Sequence, residues 1–198
     1  RNFIIPGMMA IIIMIVGAML TALVIAREFE GGTMETIKSL PVTAGELLLG
    51  KAIPYFFITL INVLVAMLLG QVLFGIGLNG SFWLMLAGTS LFLVCALALG
   101  LLISTAAKSQ LMANQAAVMI TYLPSLLLSN FVFPIINMPV VLQWFTYLVP
   151  ARYYIDLLAG VYLRNTGLDY LWPDMAVLGG MGVLMIVLNF IWLKKEGL

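Results

Sequence analysis

Long apolar runs alternate with short polar connectors along almost the whole chain. Five of these runs contain no Asp, Glu, Lys or Arg, and at 1.5 Å per residue each is long enough to cross a hydrocarbon core of about 30 Å. The runs are residues 8–26, 53–77, 82–103, 111–133 and 175–193. The pattern predicts an all-α polytopic membrane protein, with five transmembrane helices in a single domain over residues 1–198.

The composition supports a membrane protein and excludes several other classes. Of the 198 residues, 64% are hydrophobic and 9% are charged, whereas soluble domains are about a quarter charged. A single cysteine, Cys95, excludes a disulfide scaffold, and the lack of histidine removes the commonest general base and metal ligand. A net charge of +1 provides no basic field that would attract nucleic acid. Because the chain begins with Arg1 rather than methionine, we expect a fragment of a longer protein.

The stretch between the fourth and fifth runs, residues 134–174, does not follow the spanning pattern. Prolines bracket an apolar segment over residues 134–150 that is too short to cross, which indicates a re-entrant or interfacial segment. Residues 151–163 then carry helical signals, including Arg152 and Asp156 at a spacing that favours a local ion pair. We expect this helix to lie along the membrane surface.

The distribution of basic residues predicts the orientation. Five spans put six basic residues on one face and three on the other, and cytoplasmic loops carry the excess. The six are Arg27, Lys38, Lys51, Lys108, Lys194 and Lys195, and the three are Arg1, Arg152 and Arg164. The chain is therefore expected to begin outside and to end with a cytoplasmic C-terminus.

The connector between the first two runs, residues 27–51, holds much of the charge of the chain. Its sequence predicts two adjoining capped helices. Gly32 allows a sharp turn, and Thr33 is expected to cap a short helix that follows it. Thr43 and Glu46 match a capping box, so the second spanning helix is expected to begin in the cytoplasm. The connector is either a solvated loop or a docking element that transmits a partner's motion.

Three motifs in this chain resemble those of ABC-2 type transporter permeases, in particular the bacterial multidrug-efflux branch. The first is REFEGGTMETI with the following LPVT and ELLLGK, over residues 27–51. The others are FPI with NMP over residues 133–139, and PARYY running on to GVYL over residues 150–163. Gly31 and Ala159 depart from the pattern, since the resemblance implies a charged residue at each of these positions. The family's first span and the large external domain of its efflux members have no counterpart here.

The resemblance implies a short cytoplasmic coupling helix that docks into ABC ATPase subunits. The residues expected to couple are Glu28, Glu30, Gly32, Thr33, Glu35 and Lys38, with the carboxylates supplying the partner contacts. The resemblance also implies a second permease subunit, identical or a sibling, and a place in the bacterial inner membrane among its lipids. ATP and Mg²⁺ would bind to the ATPase, and no cofactor to this chain.

The spans themselves point to an external energy source and an uncharged path. They contain no ionisable residue for proton coupling, and the chain has no phosphate-binding loop for ATP. Sodium coupling through backbone carbonyls stays open. Polar residues surround an expected helix break at Pro124, where they either join helices by hydrogen bonds or line a path for lipophilic or amphipathic cargo. They are Asn114, Gln115, Thr121, Ser125, Ser129 and Asn130.

An external gate is the remaining candidate site. Its expected members are Phe133, Pro134, Trp144, Arg152 and Tyr153. The function that the sequence favours is a permease subunit of an ABC exporter, itself not an enzyme. The alternatives are a membrane anchor or assembly subunit that transports nothing, and an ion-coupled carrier. An intramembrane enzyme is the least favoured, since the spans offer only hydroxyls and amides.

Overall fold

The computed structural model describes residues 4–74, 80–130, 133–164 and 167–197. These residues form helices and connecting turns, with no strand among them. The helices are α1 Ile4–Glu30, α2 Thr33–Ser39, α3 Ala44–Phe74, α4 Phe82–Ala107, α5 Gln110–Leu127, α6 Val140–Thr146, α7 Pro150–Ala159 and α8 Leu168–Lys195. A 3₁₀ turn covers Ile135–Asn137, and a π-helical turn covers Gly160–Arg164.

Four of the described helices are long and apolar enough to cross a membrane. These segments are Gly7–Glu30, Ala44–Val72, Phe82–Ala107 and Leu168–Lys195. They contain the first, second, third and fifth apolar runs, except for residues 75–77, which lie outside the described residues. An all-helical protein with several apolar helices is therefore confirmed, whereas the count of five spans stays a prediction.

The fourth apolar run forms α5, which differs from the expected helix in two ways. The helix continues through Pro124 and ends at Leu127, so the expected break at Pro124 is wrong. A proline removes only one backbone donor, and helices in membranes tolerate it. The helix stops earlier than residue 133, because the chain turns at Asn130 with φ 66°. Its 18 residues measure about 27 Å.

The bundle is built around the contact between α1 and α4, the two most buried of the long helices. Small residues bring their backbones together: a Cβ on Gly100 would lie 2.9 Å from the Ala18 Cα, closer than real contacts allow. Thr21 Oγ1 donates a hydrogen bond of 2.9 Å to the carbonyl of Leu97 across this contact. The spacing of Ala96 and Gly100 predicts this close packing, and the structure confirms it at Gly100.

The helix expected on the membrane surface, α7, is part of the core. Tyr154 is fully buried, stacks on Phe92 of α4 at 4.1 Å between ring centroids, and shares a hydrogen bond with Thr89. Leu157 lies directly over Gly88, where any Cβ would collide with it. These contacts pack one side of α7 against α4, so α7 is part of the bundle.

Residues 134–149 cover one end of the bundle. Most apolar side chains of α6 and its flanks are exposed, including Ile136, Val140 and Trp144. Exposed apolar side chains of this kind suit the interfacial reading of the segment, and its re-entry into the bilayer stays a prediction.

Polar side chains join α8 to α4. Asn189 Nδ2 donates to the carbonyl of Ala98 at 2.7 Å, and Cys95 Sγ donates to the carbonyl of Leu178 at 3.1 Å. Asn189 thus makes an interhelical hydrogen bond of the kind that polar residues in apolar helices commonly form.

Candidate functional site

The helix α2 sits at one end of the bundle, where α1 ends and α3 begins. The turn between α1 and α2 is made by Gly32, whose φ of 72° lies in the left-handed region. Only glycine adopts this conformation without strain, so the expected role of Gly32 in the turn is confirmed. Met34 is buried and packs with Val24 and Leu48, which fastens α2 to both neighbouring helices.

Glu28 links three segments at this end. Its carboxylate accepts a hydrogen bond from Lys51 Nζ at 2.6 Å, and the two side chains form an ion pair between α1 and α3. The same carboxylate accepts a hydrogen bond from Thr33 Oγ1 at the start of α2. Both side chains of the ion pair are partly buried, which favours a defined geometry over a loose surface contact.

The expectation that Thr33 caps α2 is wrong. The N-cap position is Gly32, and Thr33 is the first residue of the helix itself. Its hydroxyl turns back to α1, where it donates to the carbonyl and carboxylate of Glu28. The tight turn is the cause, because it brings the end of α1 within hydrogen-bond distance of the Thr33 hydroxyl, which would otherwise cap α2.

Glu30 joins α1 to the start of α5. Its Oε2 accepts a hydrogen bond from the backbone N–H of Gln110 at 2.8 Å. Arg27 Nε donates to Oε1 of the same glutamine at 3.4 Å. The carboxylates of Glu28 and Glu30, both expected to contact a partner protein, are therefore engaged within the chain.

Two of the expected coupling residues point outward from α2. Glu35 and Lys38 are both exposed, whereas Met34, which lies one turn before Lys38, is buried. Lys38 Nζ lies 5.9 Å from the ring centroid of Phe29, which Lys108 approaches to 5.2 Å. The outer surface of α2 thus presents one carboxylate and one ammonium to solvent.

The start of α3 is held by the capping box that the sequence predicts. The backbone N–H of Thr43 donates to Glu46 Oε2 at 2.8 Å, and the N–H of Glu46 donates to Thr43 Oγ1 at 3.3 Å. The next backbone bond, from Leu47 to the carbonyl of Thr43, begins the helix. Four residues lie between α2 and α3, so the connection between the two helices is short and allows little relative movement.

The polar residues of the expected substrate path are separated along α5 and beyond it. Gln115 is exposed and Asn114 half-buried near the α2 end, whereas Thr121 and Ser125 are buried against the bundle. Thr121 Oγ1 donates to a carbonyl of its own helix, that of Ala117. Asn114, Thr121 and Ser125 recur at helical spacing along one side of α5, and Gln115 lies off that side.

The other two path residues meet the gate residues at the opposite end. A cavity of about 480 Å³ is lined by Ser129, Asn130, Arg152 and Tyr153. Ser129 Oγ is buried and has no hydrogen-bond partner, whereas Asn130 Oδ1 accepts from the N–H of Ile135 at 3.1 Å. We call this cavity the outer pocket, since residues 134–174 are expected to be external.

Three further charged residues line the outer pocket, and the sequence did not assign them to a site. Asp156 pairs with Arg164 at 3.4 Å, not with Arg152 as expected, and Asp174 lies on another wall. Spacing along one helix favoured Arg152, but the π-helical turn after α7 carries Arg164 back toward Asp156. In the sequence, these charges cluster near the ends of two predicted helices. This clustering was the signal by which the pocket could have been found.

Arg152 and Tyr153 are both held by α6. The guanidinium of Arg152 lies 4.2 Å from the ring centroid of Tyr147 and hydrogen bonds with Thr146. The hydroxyl of Tyr153 donates to the carbonyl of Tyr147 at 3.0 Å, and burial raises the pKa of this hydroxyl, so it stays protonated. Trp144 lies beside Tyr147, while Phe133 and Pro134 are exposed on the adjoining turn.

Metal ligands do not gather anywhere in the part of the chain that the structure describes. Among these residues, no three His, Cys, Asp or Glu side chains come together.

The family is decided by comparison with known proteins. A family model described as "ABC-2 family transporter protein" matches residues 1–191. The chain belongs to the ABC-2 family of transporter proteins. The family motif over residues 27–51 accordingly corresponds to the end of α1, the whole of α2 and the start of α3.

Curated relatives in this family carry permease names. The "Probable multidrug ABC transporter permease YbhS" of Escherichia coli (strain K12) is 41% identical over 196 residues, which is 99% of this chain and 52% of that protein. YbhR, of the same description and strain, is 31% identical over 87% of this chain and 47% of that protein. The "Inner membrane transport permease YhhJ" of that strain is 26% identical over 96% of this chain and 51% of its own length. The chain thus spans about half the length of these relatives.

Proposed function

We propose that this chain is the membrane-spanning part of a permease subunit in an ABC exporter. It moves lipophilic or amphipathic small molecules across the bacterial inner membrane, and a separate ATPase subunit supplies the energy. Two permease subunits, identical or siblings, enclose the path. The permease names of the relatives and the family of the chain support this proposal.

The geometry of α2 carries the proposal. Met34 anchors this short helix in the bundle, while the side chains of Glu35 and Lys38 are exposed and free to meet a partner. A push on α2 reaches α3 through the ion pair between Glu28 and Lys51. It reaches α5 through Glu30, so a docked ATPase can move several helices at once.

The proposed topology has five spans, with α5 as the fourth. The length of α5, about 27 Å, is close to the thickness of a hydrocarbon core. The helix packs beside α1. The α2 end faces the cytoplasm, together with the C-terminus, because it gathers most of the basic residues. The outer pocket then faces the other side, where cargo would leave.

ATP-driven uptake into inside-out membrane vesicles tests the proposal. Cells that make the full-length protein with its ATPase would supply the vesicles, and a lipophilic fluorescent dye would report transport. We expect dye uptake that needs ATP, is blocked by vanadate, and persists when a protonophore dissipates the proton gradient. A matched preparation without the protein is the control.

The outcomes separate the proposal from its rivals. Uptake that the protonophore abolishes while vanadate leaves it unchanged would replace an ABC exporter with an ion-coupled carrier. Folded protein that gives no more uptake than the control, over a panel of lipophilic dyes, would favour a membrane anchor or assembly subunit.

A further inference from the structure

A narrow cleft runs along α1 between α3 and α5, near the end of the bundle that carries α2. Its volume is about 240 Å³, and both polar and apolar atoms are open to it. The residues that line it are Met19, Leu20, Leu23, Val24, Arg27, Tyr55 and Asn114. The cleft is separate from the outer pocket, and among the residues of the expected substrate path only Asn114 lines it.

The polarity of the wall changes along α1. Met19, Leu20, Leu23 and Val24 form an apolar stripe at helical spacing, and Arg27 follows one turn later. From the first to the last of these residues the helix rises by about 12 Å. Because Arg27 lies in the last turn of a helix long enough to span a membrane, its guanidinium is at the membrane surface and the apolar stripe continues into the bilayer.

Tyr55 and Asn114 belong to the same polar end of the cleft. Each follows by one helical turn a residue that is bonded to the last turn of α1, namely Lys51 of α3 and Gln110 of α5. Three helices therefore bring side chains with N–H or O–H donors to this end, and the guanidinium of Arg27 is among them.

Most of these donors have no partner in the part of the chain that the structure describes. Arg27 forms no ion pair there, and its guanidinium makes one long hydrogen bond, from Nε to Gln110 Oε1 at 3.4 Å. The hydrogen bonds among the described residues leave the side chains of Tyr55 and Asn114 unused. Since a guanidinium carries five N–H donors, most of its capacity is available to a ligand.

The chemistry of the wall selects the occupant. Several donors and one positive charge suit an anion with several acceptor oxygens, such as a phosphodiester. The apolar stripe suits a hydrocarbon chain that continues from this head group into the bilayer. Basic pockets between spanning helices at the membrane surface bind anionic lipid head groups, so both parts of the wall agree with one kind of molecule.

We propose that this cleft binds an anionic phospholipid. Its phosphate lies against Arg27, Tyr55 and Asn114, and one acyl chain lies along the apolar stripe of α1. A zwitterionic phospholipid fits less well, because its own ammonium group competes with the guanidinium for the phosphate. The inference concerns lipid binding alone, so it does not depend on the proposed transport function.

Photolabelling of the full-length protein in nanodiscs of phosphatidylcholine tests the site. The probes are a phosphatidylglycerol and a phosphatidylcholine that carry the same diazirine-bearing acyl chain, and labelled residues are mapped by mass spectrometry. We expect the phosphatidylglycerol probe to label residues 19–24 about fivefold more strongly than the phosphatidylcholine probe. This is the factor expected for one basic residue beside an anionic head group.

Two charge variants test the role of the guanidinium. Arg27→Gln removes the positive charge, so the two probes should label the apolar stripe equally. The matched control is Lys194→Gln, which removes an exposed charge at the same end of the bundle and outside the cleft. This control should keep the fivefold preference.

Two tryptophan variants test the apolar stripe. Leu20→Trp fills the cleft from its wall and should reduce labelling of the stripe by both probes. Val16→Trp, at an exposed position one turn earlier that does not line the cleft, should behave as wild type.

Three results would overturn the proposal. One is equal labelling of the wild-type stripe by the two probes, since the head group would then not be recognised. Another is a preference that Arg27→Gln leaves unchanged, or that Lys194→Gln removes as fully. The third is a wild-type stripe that neither probe labels, which would show that another segment of the full-length protein or a second subunit covers the cleft. Should Leu20→Trp fail to fold, the wild-type ratio and the charge variants still decide.

Discussion

At the scale of single residues, Glu28 has the most connected position at the α2 end. It holds Lys51 of α3 and Thr33 of α2 from the last turn of α1. In the proposed complex a partner protein would meet this carboxylate already engaged, and we propose that its role is to position α2. The exposed pair on α2, Glu35 and Lys38, is the better candidate for direct contact.

Exchange of the two charges tests the link between α1 and α3. Glu28→Lys and Lys51→Glu each place like charges together and should destabilise the protein by about 1 kcal/mol. The double exchange should recover most of this loss, because it restores an attractive pair. Unfolding in detergent measures all three variants, and a double variant no more stable than the singles would contradict the ion pair.

Gly100 tests the contact between α1 and α4. Gly100→Ala would force its Cβ onto Ala18 and Thr21, and should cost about 1–3 kcal/mol of stability. Gly70→Ala is the matched control, since a Cβ there meets nothing within 4 Å and should stabilise the helix by about 0.5–1 kcal/mol. Thermal unfolding of both variants gives the comparison. Equal shifts for the two glycines would show that the helices do not approach so closely.

At the scale of whole elements, the capping box fixes where α3 begins. Glu46→Ala should weaken the start of α3 and speed amide hydrogen exchange in its first turn, because the N–H of Thr43 loses its acceptor. Glu46→Gln keeps an acceptor for the N–H of Thr43 and should exchange at nearly the wild-type rate. Slow exchange in the alanine variant would mean that packing alone defines this end.

The elements also show which parts of the fold can be read from the sequence. Long uncharged runs identify α1, α3, α4 and α8, since length is enough to predict a spanning helix. The capping box was predicted because it depends on neighbours three residues apart. The core position of α7 was missed, because in so apolar a chain a core-facing side and a lipid-facing side have the same composition.

The candidate site was predicted unevenly for a similar physical reason. The turn at Gly32 follows from local backbone geometry and was predicted correctly. Spacing along the chain does not specify how helices pack. The packing decides the hydrogen-bond and ion-pair partners of Thr33, Asp156 and Glu30. Sequence reasoning therefore predicted a short helix between α1 and α3 and named four residues that line the outer pocket, but it misassigned several contacts. The roles of these residues in coupling, transport and gating stay predictions.

At the scale of the whole molecule, charge gathers at the two ends of an apolar bundle. The α2 end carries the ion pair of Glu28 with Lys51, between α1 and α3, and that of Glu196 with Lys108, between the ends of α8 and α4. The hydrogen bond from Gln110 to Glu30 adds the start of α5. The outer pocket carries the charges of α7 and α8 at the other end. A force applied at α2 thus acts on a connected layer, and its effect at the outer pocket must pass through the packed helices.

The most direct test of this account is ATP hydrolysis by the full-length protein, purified gently from its native membrane with its partners. Glu35→Arg is compared with Asp169→Arg, an equally exposed charge reversal on α8, beyond the α2 end. The account predicts vanadate-sensitive hydrolysis that co-purifies with wild type and with Asp169→Arg, and that Glu35→Arg loses. Hydrolysis absent from folded wild-type protein, or equal in both variants, would contradict docking of an ATPase on α2.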